Sequence, residues 1–349
     1  MSVFGRYFTY RLRQGALRTL VLTLISLVIT LTVVDDCMSV VIEYRETGIY
    51  ILAVLIGVFC TLMPFLELSG FKNRRNLDTL YFFPINRGKM AMVHYLSGLL
   101  QVFVIYSVCF FSMWVLLALS GSGFTLWYMI IYYPLLFLLG AGIYSVISFL
   151  IIQANSVVDG IFFCGLWAFV LWLVFFVARK YFLRPFIINT AIWSNTADFA
   201  SWGIIYAPIN NLTVIFQDLI ETNKVLDEYV HYLSTDYAQK YLDQAYMFVF
   251  WAIIGAAATV GYFLTFAKKG AHTAGEISNS WFGYKLLIPI YGYMLIMTSG
   301  EINILSFVIV ALMVIGYVIY RRSFKLKKSD IAFVCGGIVP LVLIYLLNK

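Results

Sequence analysis

Long apolar runs separated by short polar segments dominate this chain, and their lengths set the fold before any single residue does. The runs lie at about Thr19 to Val34, Ile49 to Ser69, Met90 to Leu119, Tyr128 to Ile152, Gly160 to Val177, Ala245 to Phe266, Tyr284 to Thr298, Ile302 to Tyr320 and Ile331 to Leu347. A helix of about 20 residues crosses the roughly 30 Å hydrocarbon layer, because each residue rises about 1.5 Å. A closed barrel would instead show strands of about ten residues with alternating polarity. These runs are continuous, so the expected fold class is all-α, a polytopic helical membrane protein with about nine spans. The seventh run is short and holds Pro289 and Gly292. If it does not cross, eight spans remain and the last two invert.

The most informative polar segment is Gly70 to Met90, G-F-K-N-R-R-N-L-D-T-L-Y-F-F-P-I-N-R-G-K-M. Asn73 to Phe83 is predicted to form about three helical turns, with Leu77, Leu80 and Tyr81 on one side and Arg74 facing Asp78 at i,i+4. Pro84 forces Phe83 out of helical geometry and ends that helix. A short cationic helix pinned between two spans is placed to dock a partner.

Composition fixes the solvent: 62% hydrophobic and 12% charged residues, with a mean hydropathy of +0.89, exclude a water-soluble globule. Charge then sets the orientation. With the amino terminus inside, 17 of 24 Lys and Arg fall in inner segments, around Arg6 to Arg18, Lys72 to Lys89, Lys268 to Lys285 and Arg321 to Lys328. Most acids, including Asp35, Asp36, Glu43, Glu46, Asp218, Glu221, Asp227 and Glu228, lie outside. The net charge of +7 thus reads as topology and attraction to membrane lipids, with no nucleic-acid partner implied. Four of the five cysteines fall inside spans and Cys37 stands alone in an outer loop, so no disulfide framework is expected.

Other segments carry smaller signals. Residues 1–18 place Phe4, Phe8, Leu12 and Ala16 in an i,i+4 row ringed by arginines, an amphipathic elbow expected to lie in the headgroup layer before the first span. Glu67, near the inner end of the second span, is expected to pair with the cations just beyond it, the alternative being a substrate contact. His94 is expected at the membrane boundary as an interfacial residue. Gln101 lies deeper and must bond to another helix. Glu67 and Gln101 are the candidate substrate-path residues. Asn86 should cap the third span and Asp159 the fifth. Gly140, Ala141 and Gly142 allow close helix packing. Residues 180–244 form the longest hydrophilic region, expected to be extracytoplasmic, with Leu212, Ile215, Phe216, Leu219 and Ile220 forming an amphipathic helix. The R-R-S-F-K-L-K-K cluster after the eighth run is expected to anchor against anionic lipid.

No zinc-protease, nucleophile-elbow or phosphate-loop motif occurs in the chain, and no catalytic, metal or cofactor-binding residue is assigned. The chain is therefore not expected to be an enzyme, and work on a substrate must be driven by another chain.

The layout resembles the membrane subunits of ABC-2-type exporters: an elbow helix, two spans, an inner coupling segment, further spans, and an outer helical region between the fifth and sixth. More narrowly, Phe71 to Met90 is similar to the coupling segment of the bacterial Ytr-like permease group, as are Ala207-Pro208 and the A-G-E of Ala274 to Glu276. The resemblance implies an ABC-2-type core over residues 19–266, with 70–90 as cytosolic coupling segment and 267–349 as a carboxy-terminal transmembrane extension. It implies a separate ABC ATPase subunit, holding ATP and Mg itself, which receives Phe71 to Arg87. Leu77, Leu80 and Tyr81 would fill its cleft, and Arg74, Arg75, Asp78 and Arg87 would fix the register. It further implies a second permease copy or paralogue, a bacterial cytoplasmic membrane, and an amino terminus in the cytoplasm. The aromatic-rich walls suit an amphipathic peptide or lipid-like cargo. An ion-coupled transporter or channel, and a membrane-bound sensor or immunity protein, are the alternatives from other classes.

Overall fold

In hydrocarbon a backbone amide finds no partner except its own chain, so apolar runs close into helices. The computed structural model describes residues 3–39, 47–73, 85–119, 126–178, 209, 212–213, 216, 234–269, 275–276, 278–299, 304–337, 339–340, 342 and 346. Among these, all regular structure is helical. The elements are α1 (Val3–Ser39), α2 (Thr47–Leu68) continued by a 3-10 turn (Ser69–Lys72), α3 (Arg87–Leu119), α4 (Leu126–Gln153), α5 (Val157–Ala178), α6 (Ser234–Lys268), a π turn (Trp281–Lys285), α7 (Leu286–Ser299), α8 (Ile304–Arg321) and α9 (Lys328–Cys335). Six of the described helices are long and apolar enough to cross a membrane, with a shorter apolar stretch at Val157–Val170.

The nine expected spans are therefore not all seen. The seventh run forms α7, whose 14 residues reach only about 21 Å. The ninth begins as α9, which ends at Cys335 in a turn over Gly336 and Gly337. At the amino terminus α1 is one continuous helix of 37 residues, so the expected elbow and the first span share one helix from Val3 onward.

The helices form two units, Met1–Ile152 with Ile205–Ala271, and Gln153–Ile204 with His272–Lys349. In the first, α1 packs along α3 and α2, and α3 also meets α6. Small residues let the backbones approach, as the glycine cluster in α4 leads one to expect. A methyl on Gly255 of α6 would lie 3.0 Å from the Gly142 Cα, and one on Gly140 would strike Ile56 at 2.7 Å. Between α3, α4 and α6 the core is aromatic: Tyr95 lies 5.3 Å from Tyr144 and 5.5 Å from Tyr262, ring centre to ring centre. The Tyr95 hydroxyl shares a 2.6 Å bond with Ser145, and Tyr144 donates to the Tyr95 carbonyl. In the long hydrophilic region, Leu212 and Phe216 are helical and buried as their spacing predicts, with Phe216 4.9 Å from Tyr132. The other members of that stripe lie outside the described residues.

The second unit is held by α5 against α7, through Phe163, Val170 and Leu287, and by α7 against α8. Asp159 does not cap α5. Ser156 does, accepting from the Asp159 amide, while the Asp159 carboxylate accepts from the Tyr284 hydroxyl at 2.8 Å. A serine hydroxyl one residue before the first helical turn reaches that amide, whereas Asp159 already sits inside the turn.

The basic cluster after α8 is partly structural. Arg321 grips the buried Asp330 with two bonds of 2.9 and 2.8 Å, and Asp330 also accepts from the Lys327 amide at the start of α9. The Arg321 guanidinium holds the Asp330 carboxyl below its usual range. A depressed carboxyl stabilises the fold at all pH above its unfolded value, about 4, and ceases to do so as pH falls through the lower folded value. A spin label on the exposed Cys335 should keep constant mobility from pH 8 to 5 and loosen only below about 4. In Asp330→Asn it should be mobile throughout that range.

Candidate functional site

α2 ends with an acid, an unfavourable place because the helix dipole is negative there. Glu67 is nevertheless 1% exposed, and its carboxylate collects donors from two neighbouring helices. From α1, Arg11 Nε donates to Oε2 at 3.1 Å and Arg18 donates to Oε1 in a close ion pair. From α3, Gln101 Nε2 donates to Oε1 at 2.9 Å and Ser97 Oγ to Oε2 at 3.4 Å. Gln101 in turn accepts from Arg18 at 2.7 Å and from Thr19 Oγ1 at 3.0 Å. Arg11 reaches further, to the Glu67 carbonyl and to Gln14. A carboxylate with several charge-assisted donors is stable where an isolated one would not be.

His94 extends the cluster. It is 1% exposed, so its ring faces neighbouring helices. Nε2 bonds to the Tyr7 hydroxyl at 3.0 Å, and Nδ1 stands 3.6 Å from Glu67 Oε2, too far for a hydrogen bond. The Phe71 ring lies edge-on at 4.7 Å. His94 is buried because it stands one turn before Ser97 and Gly98 on the α3 face that receives α1 and α2.

Two glycines make the approach possible. A methyl on Gly15 of α1 would fall 3.0 Å from Gln101 Nε2. One on Gly98 of α3 would overlap the Tyr144 hydroxyl and press Glu67 Cγ at 3.0 Å.

The two residues expected on a substrate path, Glu67 and Gln101, are thus brought together in one hydrogen-bonded pair. Glu67 does pair with cations, but with Arg11 and Arg18 of α1 among the described residues. These arginines, Tyr7 and Ser97 were missed as site residues. Their signal is spacing: Tyr7, Arg11, Gly15 and Arg18 lie at i, i+4, i+8 and i+11, one face of one helix. The row Phe4, Phe8, Leu12, Ala16 drew attention instead.

Of the expected docking residues, Arg74, Arg75, Leu77, Asp78, Leu80, Tyr81 and Pro84 lie outside the described residues. Those at the two ends are fixed. Phe71 is 7% exposed, its ring 5.0 Å from Phe266 of α6, so it belongs to the core and offers no surface to a partner. Lys72 is buried too, its ammonium donating to the Ile152 carbonyl of α4 at 3.4 Å, and Lys269 donates to the same oxygen. Asn73 is extended, at φ −103° and ψ 119°, the backbone conformation of a residue flanking a helix. At the far end Asn86 caps α3, as expected, through the Gly88 amide at 3.2 Å, and Arg87 donates to the Lys269 carbonyl at 3.2 Å.

No protein-family model matches the chain, and comparison with curated proteins and with solved structures finds no match. The likeness to ABC-2-type permeases accordingly rests on the residues quoted above. Among the described residues no group of His, Cys, Asp or Glu is arranged to hold a metal ion.

Breaking one partner of a buried ion pair costs about 3–5 kcal/mol, while replacing the whole set by apolar side chains is often neutral. Glu67→Met alone should therefore lower the thermal midpoint in detergent more than the triple replacement Arg11→Met, Arg18→Met, Glu67→Met. A triple variant less stable than the single one would show that the guanidiniums are held by something other than Glu67.

Proposed function

We propose that this chain is the membrane-spanning subunit of an ATP-binding-cassette exporter of the ABC-2 type, driven by a separate ATPase that docks between α2 and α3. The observation that supports this reading is the way that segment is mounted. At one end Phe71 and Lys72 are locked into α3, α4 and α6. At the other Arg87 is tied to the end of α6. Four residues before Phe71 stands Glu67, which joins α2 to α1 and α3.

A push on residues 74–84 is then delivered to three helices at once. A rigid mount transmits displacement, whereas a loop hinged at glycines would absorb it. In this reading the amino terminus and the segment face the cytoplasm of a bacterial cell, a second permease copy or paralogue completes the path, and ATP and Mg stay on the partner. The cargo class is an amphipathic peptide or lipid-like compound. In this reading residues 19–266 are the ABC-2-type core and the later helices an extension.

Ion-coupled transport is the second reading, and one observation favours it: a buried carboxylate beside a buried histidine is what a proton path requires. Against it, Glu67 is pinned by two guanidiniums in the last turn of α2, next to the 3-10 turn rather than at mid-span.

The two readings separate on the purified protein. An ATPase should copurify with the full chain, and reconstitution should raise its turnover. Arg74→Ala with Asp78→Ala should leave the complex assembled but remove the stimulation. Transport that follows a proton gradient without any ATPase, or full stimulation in the double variant, would contradict the proposal.

A further inference from the structure

α1 turns an unusual face outward. Its inward row is polar or small, with Tyr7, Gly15, Ser26 and Thr30 buried, while Leu17, Leu20, Leu24, Ile25 and Val28 are exposed. Part of that exposed surface is not flat. Between α1 and α3 runs a groove of about 400 Å³, within the range of small-molecule sites. One wall is Leu12, Ala16, Leu20 and Leu24 at i, i+4, i+8 and i+12, and the other is Leu100 and Val104. Gln101, Thr19 and Thr23 form its floor. Gln101 is already engaged by Arg18, Thr19 and Glu67, and both threonine hydroxyls donate to carbonyls of their own helix. The floor therefore asks for no polar ligand.

The two ends differ. From Leu12 to Leu24 the groove spans about 18 Å, slightly more than one leaflet of a hydrocarbon layer roughly 30 Å thick. Beside Leu12 lies Arg13, exposed and three residues before Ala16, hence on the same stripe of the helix. Arg6, Arg11 and Arg18 share that part of α1, which has no acid before Asp35. Glu67 is the one carboxylate that the described contacts set against Arg11 and Arg18, so this end of the groove stays positive. The Leu24 and Val104 end carries no charge.

We infer that the groove between α1 and α3 is a binding site for one acyl chain of an anionic phospholipid, the chain lying along Leu12 to Leu24 and the phosphate at Arg13. The occupant is set by charge complementarity at one end and by length along the other. A zwitterionic lipid would fit the walls equally well but gain nothing at the arginines, so headgroup selection is the signature. Each cation near an anionic surface contributes about 1 kcal/mol, roughly fivefold in occupancy. The site does not depend on the transport reading. A resident lipid would brace α1 against α3 whatever the chain does.

The test uses the full chain in nanodiscs holding a trace of phosphatidylglycerol or phosphatidylcholine with a photoreactive group at mid-chain. Labelling of Leu20, Thr23, Leu24, Leu100 and Val104 should be about fivefold stronger with phosphatidylglycerol. Labelling of the exposed Phe307 and Val308 of α8 should not distinguish the two lipids. Arg13→Gln should remove the preference, and Ala16→Trp or Leu100→Trp, filling the groove from either wall, should remove the labelling while the thermal midpoint shows the fold intact. Equal labelling by both lipids, or labelling that survives both tryptophan variants, would overturn the site and leave an ordinary lipid annulus.

Discussion

One carboxylate, Glu67, holds the first three helices together, and the arrangement around it follows from the solvent. In water, α1 would turn its leucines inward and be held by burying them. In hydrocarbon that drive between helices vanishes, because lipid tails are as apolar as leucine. What remains is close packing and hydrogen bonding in a low dielectric, where an ion pair is stronger than at a wet surface. α1 has accordingly placed Tyr7, Arg11, Gly15 and Arg18 against α2 and α3 and left its aliphatic side chains outside. The glycines at 15 and 98 are part of the same solution, since a methyl at either position would press on Gln101 or on Glu67 and Tyr144.

From this cluster the structure runs without a break to the polar segment after α2. Phe71 touches His94 and Phe266 and Lys72 reaches the end of α4, so the 3-10 turn is keyed into three helices within five residues of Glu67. A segment mounted this way is suited to receive force from a partner, and that is why transport driven by another subunit is the preferred reading.

Much of the fold was legible in the chain. Continuous apolar runs specify helices in lipid whatever their neighbours do, and Asn86 capped α3 because an asparagine two residues before an amide can do little else. Gln101 found its partner in another helix, as a buried amide must. The shortness of the seventh run was legible too, and α7 has 14 residues. Two things were hidden. The partners of Glu67 were sought just beyond it, but a residue at the end of a helix faces its lateral neighbours as readily as its own continuation. The row Phe4, Phe8, Leu12 and Ala16 of α1 was read as the face that meets the headgroup layer, and the row that binds α2 and α3 lay one position away.

The central claim is that Glu67 fastens α1 to the body of the first unit. Hydrogen exchange across residues 7–20, in the protein and in Glu67→Gln, measures this most directly. The account predicts that these amides are as protected as the middle of α3 in the protein and open markedly faster in the variant, with α4 and α6 unchanged. Equal protection of α1 in the two proteins would mean that packing alone holds the helix and that the carboxylate is incidental.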